Sequence, residues 1–304
     1  MKTPRLVLAL LLTLAAAAVP AQDVSSRVQD GYADSGGVRI HYVTLGDPHA
    51  APVLMIHGFP DYWYSWRALM AGLARDHYVI AIDQRGYNLS DHPAGEQNYQ
   101  LNDLVGDVAA VLKQAGLPRA TIIGHDWGGV VAWQVAMDRP ELVDRLVILN
   151  LPHVRGLRRE LATNPQQARS SAYARFFQQD GAWKKLSVAQ LVDIAVPDKA
   201  DIDTRDKYTQ AMQRSSIEAM VDYYRQNYPR EPYAPDTSPV TKVHAPVLVI
   251  HGLDDPFLLP GALDGTWQWV DGALTVVTLP HVGHFVLRDA PDRVVPLVAD
   301  WLAH

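Results

Sequence analysis

The chain has 304 residues, of which 48% are hydrophobic and 20% are charged, and this composition is typical of a folded globular protein. Its formal net charge is −6 and it lacks any long block of Lys or Arg, so a nucleic-acid partner is excluded because the field that collects phosphate backbones is missing. No cysteine is present, which excludes disulfides, thiolate metal sites and a cysteine nucleophile.

The first residues have the pattern of a signal peptide. Lys2 and Arg5 give a positive start, residues 6–19 are apolar, and a small-residue cleavage site ends at Ala21. The alternative is an uncleaved membrane anchor, which needs about 20 apolar residues, and this run is shorter. We therefore expect residues 1–21 to be removed and the protein to be exported, periplasmic or secreted, without stable membrane insertion.

After the signal, short β-branched runs alternate with stretches of helical periodicity. This alternation predicts an α/β fold with a mostly parallel central sheet and helices on both faces. Several strands are continuous apolar runs, as expected for strands buried on both sides. The predicted strands are Val38–Val43, Val53–His57, Tyr78–Asp83, Thr121–Gly124, Leu146–Asn150, Val247–His251 and Leu274–Leu279. The predicted helices are Trp66–Leu73, Leu101–Ala115, Val130–Met137 and Val294–Leu302.

The alternation stops between residues 152 and 241. This segment is richer in Arg, Gln, Asp and aromatic residues, and it shows helix patterns without convincing strands. Because a strand resumes at Pro246, we interpret residues 152–241 as a helical cap inserted between two parts of one core, residues 22–151 and 242–304. The alternative is a surface insertion. The insertion leaves from the carboxyl end of a strand, where pockets form in such sheets, so we expect it to roof the pocket.

A carboxylate lies at the tip of a sharp turn in Gly-His-Asp126-Trp127-Gly. The segment has the pattern of the nucleophile elbow G-x-S-x-G with Asp in place of Ser, and it lies between a predicted strand and a predicted helix. Small neighbours are needed because this turn forces its central residue into strained dihedral angles. The helix N-terminus keeps the carboxylate ionised. We interpret Asp126 as a nucleophile, whereas the alternative is an Asp that caps the helix.

An ester formed on this carboxylate needs a base that activates water and an acid that orients the base. His284, in Gly-His-Phe, follows the last predicted strand and precedes the last predicted helix. His281 competes, but it directly follows Pro280 without the glycine that would let its side chain swing across the site. We therefore predict that His284 is the base.

Two aspartates compete for the role of orienting acid. Asp254 and Asp255 lie in Gly-Leu-Asp-Asp-Pro, directly after the strand that ends at His251. Both carboxylates fall in one loop at the catalytic edge of the sheet, and spacing alone leaves both open.

The carbonyl group of the ester also needs donors for its developing negative charge. The candidates are two backbone N–H groups, that of Trp127 after the nucleophile and that of Phe59 in His-Gly-Phe-Pro after an inner strand. The alternative for the second segment is a simple tight turn. The residues assigned to a substrate pocket are His57, Pro60, His125 and Phe257.

Together, these motifs resemble the epoxide hydrolase branch of the α/β-hydrolase family, from about Val38 to the C-terminus. The motifs that carry the resemblance are His57-Gly58-Phe59-Pro60, Asp83-Gln84-Arg85-Gly86-Tyr87, Gly124-His125-Asp126-Trp127-Gly128-Gly129, Asp255-Pro256-Phe257 and Gly283-His284-Phe285. The resemblance implies an α/β-hydrolase fold and an aspartate that opens an epoxide. A His-activated water then hydrolyses the alkyl ester to a vicinal diol. The resemblance assigns nucleophile, base and acid to Asp126, His284 and Asp255.

The resemblance also implies two cap tyrosines above the nucleophile, because an epoxide oxygen that leaves as an alkoxide needs a donated hydrogen bond or proton. Tyr173 matches the first and shares a helix face with Phe176 and Phe177. Helical periodicity places Tyr224 on the apolar face of its segment and directs Tyr223 elsewhere, so Tyr224 is the second. The alternative is a pair of amphipathic tyrosines packed under the cap.

Two other functions compete with epoxide hydrolysis. Haloalkane and haloacid dehalogenases share the fold and the Asp, His and Asp residues, but a halide needs indole or amide donors. Trp127 offers an indole, whereas Phe59 and Pro60 lack the Asn common in haloalkane dehalogenases, and Trp127 is not the Arg of fluoroacetate-type enzymes. A non-catalytic binding protein is disfavoured by the intact catalytic set.

The sequence predicts no cofactor and no metal, since no His and carboxylate spacing makes a convincing ligand set. The expected partners are a small apolar epoxide and water. The oligomeric state is not determined by the sequence.

Overall fold

The structure is a computed structural model that describes residues 24–304. The predicted signal peptide, residues 1–21, lies outside the described residues. Between residues 24 and 304, no helix has both the length and the apolar character needed to cross a membrane.

One sheet runs through the described part of the chain. Its strands are β1 (Gln29–Ser35), β2 (Val38–Leu45), β3 (Ala51–Ile56), β4 (His77–Ile82), β5 (Ala120–His125), β6 (Val143–Leu149), β7 (Val247–Gly252) and β8 (Leu274–Leu279). Their order across the sheet is β1-β2-β4-β3-β5-β6-β7-β8. β2 pairs antiparallel with both of its neighbours, β1 and β4, and all other neighbouring strands are parallel.

The predicted strands correspond to β2 through β8 and are confirmed within a few residues. β1 was not predicted. Its sequence, Gln-Asp-Gly-Tyr-Ala-Asp-Ser, is polar and lies mostly exposed at the edge of the sheet, so it has neither the alternation nor the apolar run that marks a strand.

Helices cover both faces of the sheet and fill the segment between β6 and β7. They are α1 (Arg67–Leu73), α2 (Leu101–Gln114), α3 (Trp127–Asp138), α4 (Val154–Thr163), α5 (Pro165–Ser170), α6 (Ala172–Phe177), α7 (Val188–Ala195), α8 (Ile202–Arg214), α9 (Ile217–Asn227), α10 (Val286–Asp289) and α11 (Pro291–Ala303). The predicted helices correspond to α1, α2, α3 and α11. Helices α4 to α9 form the inserted cap.

The strands feed two hydrophobic cores because their successive side chains alternate between the faces. In β3, Leu54 and Ile56 pack into the core that includes the cap, whereas Val53 and Met55 pack into the core on the other face. Each such side chain is fully buried and stabilises the fold by about 1.5–3 kcal/mol. Double-sided burial explains why the inner strands are continuous apolar runs.

Buried polar bonds also attach the cap to the core. The Tyr223 hydroxyl of α9 donates to the Arg85 carbonyl oxygen at 2.8 Å, and the Asn227 side chain donates to the Tyr99 carbonyl oxygen at 2.8 Å. Helix α9 is thereby held above the carboxyl ends of the strands.

Candidate active site

The elbow places Asp126 between β5 and α3 with φ 50° and ψ −123°. A non-glycine residue in such a conformation costs about 1–3 kcal/mol and persists only where its surroundings enforce it. The surroundings here are crowded backbone, because a Cβ atom at Gly124 would collide with the Gly128 carbonyl and one at Gly128 with the Ile56 carbonyl. The turn therefore fixes the carboxylate at the start of α3.

The two carboxylate oxygens of Asp126 have different partners. Oδ1 accepts a hydrogen bond of 2.8 Å from the Phe59 backbone N–H, and Oδ2 lies 3.4 Å from His284 Nε2. The loop after β3 lies so close to Asp126 that a Cβ atom at Gly58 would collide with the Asp126 side chain. Oδ1 is thus held by this loop, and Oδ2 faces the imidazole of His284.

Both carboxylate oxygens of Asp255 accept hydrogen bonds. His284 Nδ1 lies 2.8 Å from Asp255 Oδ2 and donates to it. The other oxygen, Oδ1, accepts from the backbone N–H groups of Phe257 at 2.8 Å and Leu258 at 3.0 Å. This geometry fixes the rotation of the imidazole ring, so that Nε2 faces Asp126.

The competing residues lie outside this cluster. The His281 side chain is 94% exposed, and its Nδ1 lies 3.9 Å from Asp254 Oδ2, itself in solvent. The structure therefore brings Asp126, His284 and Asp255 together and leaves the other pair at the surface.

The charges of this cluster shift all three pKa values. Burial alone would lower the pKa of His284, but the two carboxylates of Asp255 and Asp126 raise it to about 10. Burial opposes ionisation of Asp255, yet the charge and hydrogen bond of His284 lower its pKa to about 2. The same imidazole lowers the pKa of Asp126 against its burial. At neutral pH an imidazolium therefore lies between two carboxylates.

A cavity of about 250 Å³ lies above Asp126, and its wall includes Trp127, Tyr173 and Tyr224. The Tyr224 ring stands edge-on to the Trp127 ring at 4.9 Å between centroids. Burial and the charge of Asp126 raise the pKa of both tyrosines well above the ordinary value of 10, so both hydroxyl groups keep their protons. The wall also includes the apolar side chains of Val130, Met137, Leu151, Leu157 and Leu258 and the polar ones of Gln134, Arg155, Arg158, Asn227 and Asp236.

Comparison with known proteins identifies the family. The family model described as the alpha/beta hydrolase fold matches residues 51–291. The chain belongs to the α/β-hydrolase family. Epoxide hydrolase 2 of Caenorhabditis elegans is 32% identical over 84% of this chain and 75% of that protein. Epoxide hydrolase 1 of the same organism is 33% identical over 84% of this chain and 66% of that protein.

Comparison with solved structures also finds epoxide hydrolases. The hydrolase matches the crystal structure of a Bacillus megaterium epoxide hydrolase in complex with an inhibitor, with a TM-score of 0.81 and 29% identity over 90% of this chain and 100% of that chain. An epoxide hydrolase from metagenomes of hot environments matches with a TM-score of 0.81 and 31% identity, over 91% of this chain and 98% of that chain. The hydrolase therefore falls in the epoxide hydrolase branch of the family, as its motifs predicted.

None of the four residues predicted for the substrate pocket lies on the wall of the cavity that contains Asp126. His57 is fully buried, with Nδ1 bonded to the Gly58 carbonyl and Nε2 accepting from the Gln84 N–H. The side chain of His125 faces a second cavity.

The other two predicted pocket residues also lie off this wall. Phe257 packs its ring against Tyr173 at 5.2 Å and against His284 at 5.3 Å between centroids, and so supports both residues from the side. Pro60 is buried in the loop after β3. These residues support the site of the hydrolase rather than line its main cavity.

One polar residue of the site was missed by sequence reasoning. Asn150 Nδ2 donates to Asp255 Oδ2 at 2.8 Å and to the Gly283 carbonyl at 3.2 Å, and Oδ1 accepts from the Gly252 N–H at 2.9 Å. Asn150 thereby connects the loop that contains Asp255 with the loop that contains His284. The available signal was its position at the carboxyl end of a predicted strand, where site residues collect.

Proposed function

We propose that the hydrolase converts an epoxide to a vicinal diol through an alkyl ester on Asp126. The observation that carries the proposal is that the nucleophile and two protonated tyrosines, Tyr173 and Tyr224, line one largely apolar cavity. An epoxide oxygen must gain a proton as its ring opens, and these hydroxyl groups are donors at the required place. The apolar wall suits a small apolar epoxide.

The first step forms the ester. Oδ2 of Asp126 attacks a ring carbon, the bond from that carbon to the ring oxygen breaks, and the oxygen takes a proton from Tyr173 or Tyr224. The imidazolium of His284 then supplies the proton that restores the tyrosine, which leaves a neutral imidazole. Oδ1 remains on the Phe59 N–H and becomes the carbonyl oxygen of the ester.

The second step hydrolyses the ester, and the first step prepares it. Alkylation removes the negative charge of Asp126, which is one of the two charges that raise the pKa of His284. The neutral imidazole takes a proton from water while the water oxygen bonds to Cγ of Asp126. The N–H groups of Phe59 and Trp127 stabilise the oxyanion, and each such donor contributes about 10²–10³-fold in rate. Collapse breaks the bond from Cγ to the alkyl oxygen, which takes the proton from His284, and the diol leaves. The Asp126 carboxyl group then gives its proton to the imidazole, which restores the resting carboxylate and imidazolium.

Dehalogenation is the competing reaction, since it uses the same nucleophile. The indole of Trp127 is the group that would hold a halide, but its ring packs edge-on against the Tyr224 ring at 4.9 Å between centroids. A halide also leaves as a stable anion, so it needs no proton from Tyr173 or Tyr224. These contacts favour an oxygen leaving group.

A small panel of aryl and alkyl epoxides and organohalides, assayed for diol and halide together, tests the proposal. We expect diol without added cofactor, and we expect Asp126→Asn to lower turnover by at least about 10⁴-fold because the amide is a poor nucleophile. Asp254→Asn is the matched control and should keep wild-type turnover, because Asp254 lies in solvent. Halide release without diol would establish a dehalogenase, and neither product would favour a binding protein.

We also propose that the protein is exported, on the basis of the pattern in residues 1–21. N-terminal sequencing of the protein from its native host should begin near Gln22. An intact Met1 would contradict export by cleavage.

A further inference from the structure

A buried amide of the cap, that of Gln167 in α5, reaches the core loop that contains the orienting acid. Gln167 is fully buried. Its Nε2 donates to the Phe257 carbonyl oxygen at 2.7 Å, and its Oε1 accepts from the Leu259 backbone N–H at 2.9 Å. A carbonyl oxygen only accepts and an N–H only donates, so one orientation of the amide satisfies both partners. One side chain of the cap therefore holds two peptide groups of this loop.

The loop that Gln167 holds is the one that positions Asp255. Asp255 Oδ1 accepts from the backbone N–H groups of Phe257 at 2.8 Å and Leu258 at 3.0 Å, and Asp255 Oδ2 lies 2.8 Å from His284 Nδ1. The Phe257 ring also packs against the His284 ring at 5.3 Å between centroids. Movement of this loop would therefore move the acid and turn the imidazole with it.

The second N–H of the Gln167 amide is also bonded. Nε2 donates to Ser171 Oγ at 3.1 Å, and the Tyr228 hydroxyl donates to the same Oγ at 2.8 Å. Tyr228 lies on the wall of the cavity above Asp126, so a row of buried polar side chains runs from that wall to the loop of Asp255. A buried polar group left without its partner is costly. These bonds therefore hold the amide of Gln167 in one position.

The loop needs a partner of this kind because it has no regular secondary structure. Residues 253–259 lie between β7 and the next helical turn, so neither a strand nor a helix pairs the Phe257 carbonyl and the Leu259 N–H. Peptide groups in such a position must be paired by side chains or by water. A residue that only filled the space at position 167 would be apolar, because burial of an amide needs a partner for each polar atom.

We propose that Gln167 is a positioning residue of the hydrolytic step, because it holds the loop of Asp255 and thereby the orientation of the His284 imidazole. The inference rests on the proposed function. Ester formation needs the carboxylate of Asp126 and a proton from a tyrosine. Ester hydrolysis needs an imidazole that takes a proton from water in a fixed direction. The contribution of Gln167 should therefore fall mainly on the second step.

Gln167→Met separates the two steps, because methionine has a similar length and volume but neither the donors nor the acceptor of the amide. Enzyme in excess is mixed with an aryl epoxide and quenched over time, and intact-mass spectrometry follows the covalent adduct. We expect adduct formation within about threefold of wild type and adduct hydrolysis slowed about tenfold, since a small misplacement of a catalytic group is enough for such a loss.

The pH dependence of adduct hydrolysis distinguishes positioning from a structural role. The imidazole of His284 must be neutral to take a proton, and the charge of Asp255 raises its pKa. A looser bond to Asp255 lowers this pKa. In Gln167→Met the rate of hydrolysis should therefore rise with pH about half a pH unit earlier than in wild type, to a lower plateau. A structural role would lower the plateau without moving the rise.

Three variants serve as controls and rescue. Gln166→Met makes the same change at an exposed side chain of α5 and should leave both rates and the pH dependence unchanged. Ser171→Ala keeps both bonds from Gln167 to the loop, so hydrolysis should stay within about threefold of wild type. In Gln167→Glu a protonated carboxyl group can donate to one peptide group and accept from the other. This variant should exceed Gln167→Met in hydrolysis at low pH and lose the advantage as the pH rises.

Failure of this inference is distinguishable from failure of the proposed function. If Gln167→Met hydrolyses its ester at the wild-type rate, slows both steps equally, or slows hydrolysis without moving its pH dependence, Gln167 is not a positioning residue, while the proposed function stands. If the wild-type protein forms no adduct and no diol, the proposed function is wrong and the inference falls with it. If Gln167→Met does not fold, Gln167→Glu replaces it: hydrolysis that does not fall relative to wild type as the pH rises would overturn the inference.

Discussion

The core and the cap hold their site residues by different physical means. In the core, Asp126 and Asp255 receive backbone N–H groups from strand-end loops and share the imidazole of His284. In the cap, Tyr173 and Tyr224 are placed mainly by ring packing, with 5.9 Å between their own centroids. Directional hydrogen bonds to loops of the sheet hold the proposed nucleophile, base and acid, whereas helix packing holds the proposed leaving-group donors. Substitutions of site residues in the core should therefore lower activity more than substitutions of site residues in the cap.

Among the variants that compare core with cap, removal of the proposed base in the core should have the largest effect. His284→Gln should still form the ester, but it should hydrolyse the ester about 10³-fold more slowly, because no group takes the proton of water. Accumulation of the covalent adduct, measured by intact-mass spectrometry, checks this. His281→Gln is the control and should be close to wild type, since His281 is in solvent. Rapid turnover by His284→Gln would contradict the expectation that activity depends more strongly on the core residues than on the cap residues.

Removal of the cap tyrosines should slow formation of the ester rather than its hydrolysis. This effect should be smaller than that of His284→Gln on hydrolysis. Tyr173→Phe or Tyr224→Phe should slow ester formation about tenfold, because the remaining tyrosine still donates a proton, and the double variant should slow it about 10²–10³-fold. Hydrolysis of the ester should be unchanged. Single-turnover rates of adduct formation and decay measure both effects.

Tyr223→Phe is the matched control within the same helix. It loses the bond to the Arg85 carbonyl, so the free energy of unfolding should fall by about 1 kcal/mol, while ester formation stays within about twofold. If Tyr223→Phe slows ester formation more than Tyr224→Phe does, the assignment of the cap donor is wrong.

The charges of the core also predict a pH dependence of stability. The pKa of His284 rises from its ordinary 6.5 to about 10 on folding, so the folded state binds the proton more tightly. This stabilisation is fully present below pH 6.5 and is lost as the pH rises through about 10. Denaturant unfolding of wild type and His284→Gln at pH 6, 8 and 10 should therefore show a difference in unfolding free energy that shrinks, on the order of a few kcal/mol. If this difference in unfolding free energy is the same at all three pH values, the folded state does not bind the proton of His284 more tightly than the unfolded state.

The sequence predicted the parts of the fold that local patterns encode. Double-sided burial makes several inner strands continuous apolar runs, and the alternation of β-branched runs with helical periodicity located seven of the eight strands in residues 24–304. β1 was missed because a polar edge strand is stabilised by pairing with β2, which no local pattern reports. α3 begins at Trp127, ahead of the predicted Val130, because the elbow feeds the chain directly into the helix.

The features of the site also divide into those that local sequence patterns predict and those that depend on tertiary contacts. The elbow around Asp126 is encoded locally, because a sharp turn between a strand and a helix requires small residues on both sides of the nucleophile. The choice of Asp255 over Asp254 depends on a bond to His284, 29 residues away, and spacing left it open. The placement of Asn150 across two loops and the separation of the two cavities depend on contacts between distant segments.

By itself, the sequence determined the fold class, the carboxylate at the elbow and the family motifs, because these depend on periodicity and on residues adjacent in the chain. Only the tertiary structure decided which acid faces the imidazole, which side chains line the cavity above Asp126, and that Gln167 of the cap holds the loop that contains Asp255. Hydrogen bonds and cavities form between residues that the chain brings together only on folding, so no local pattern carries them.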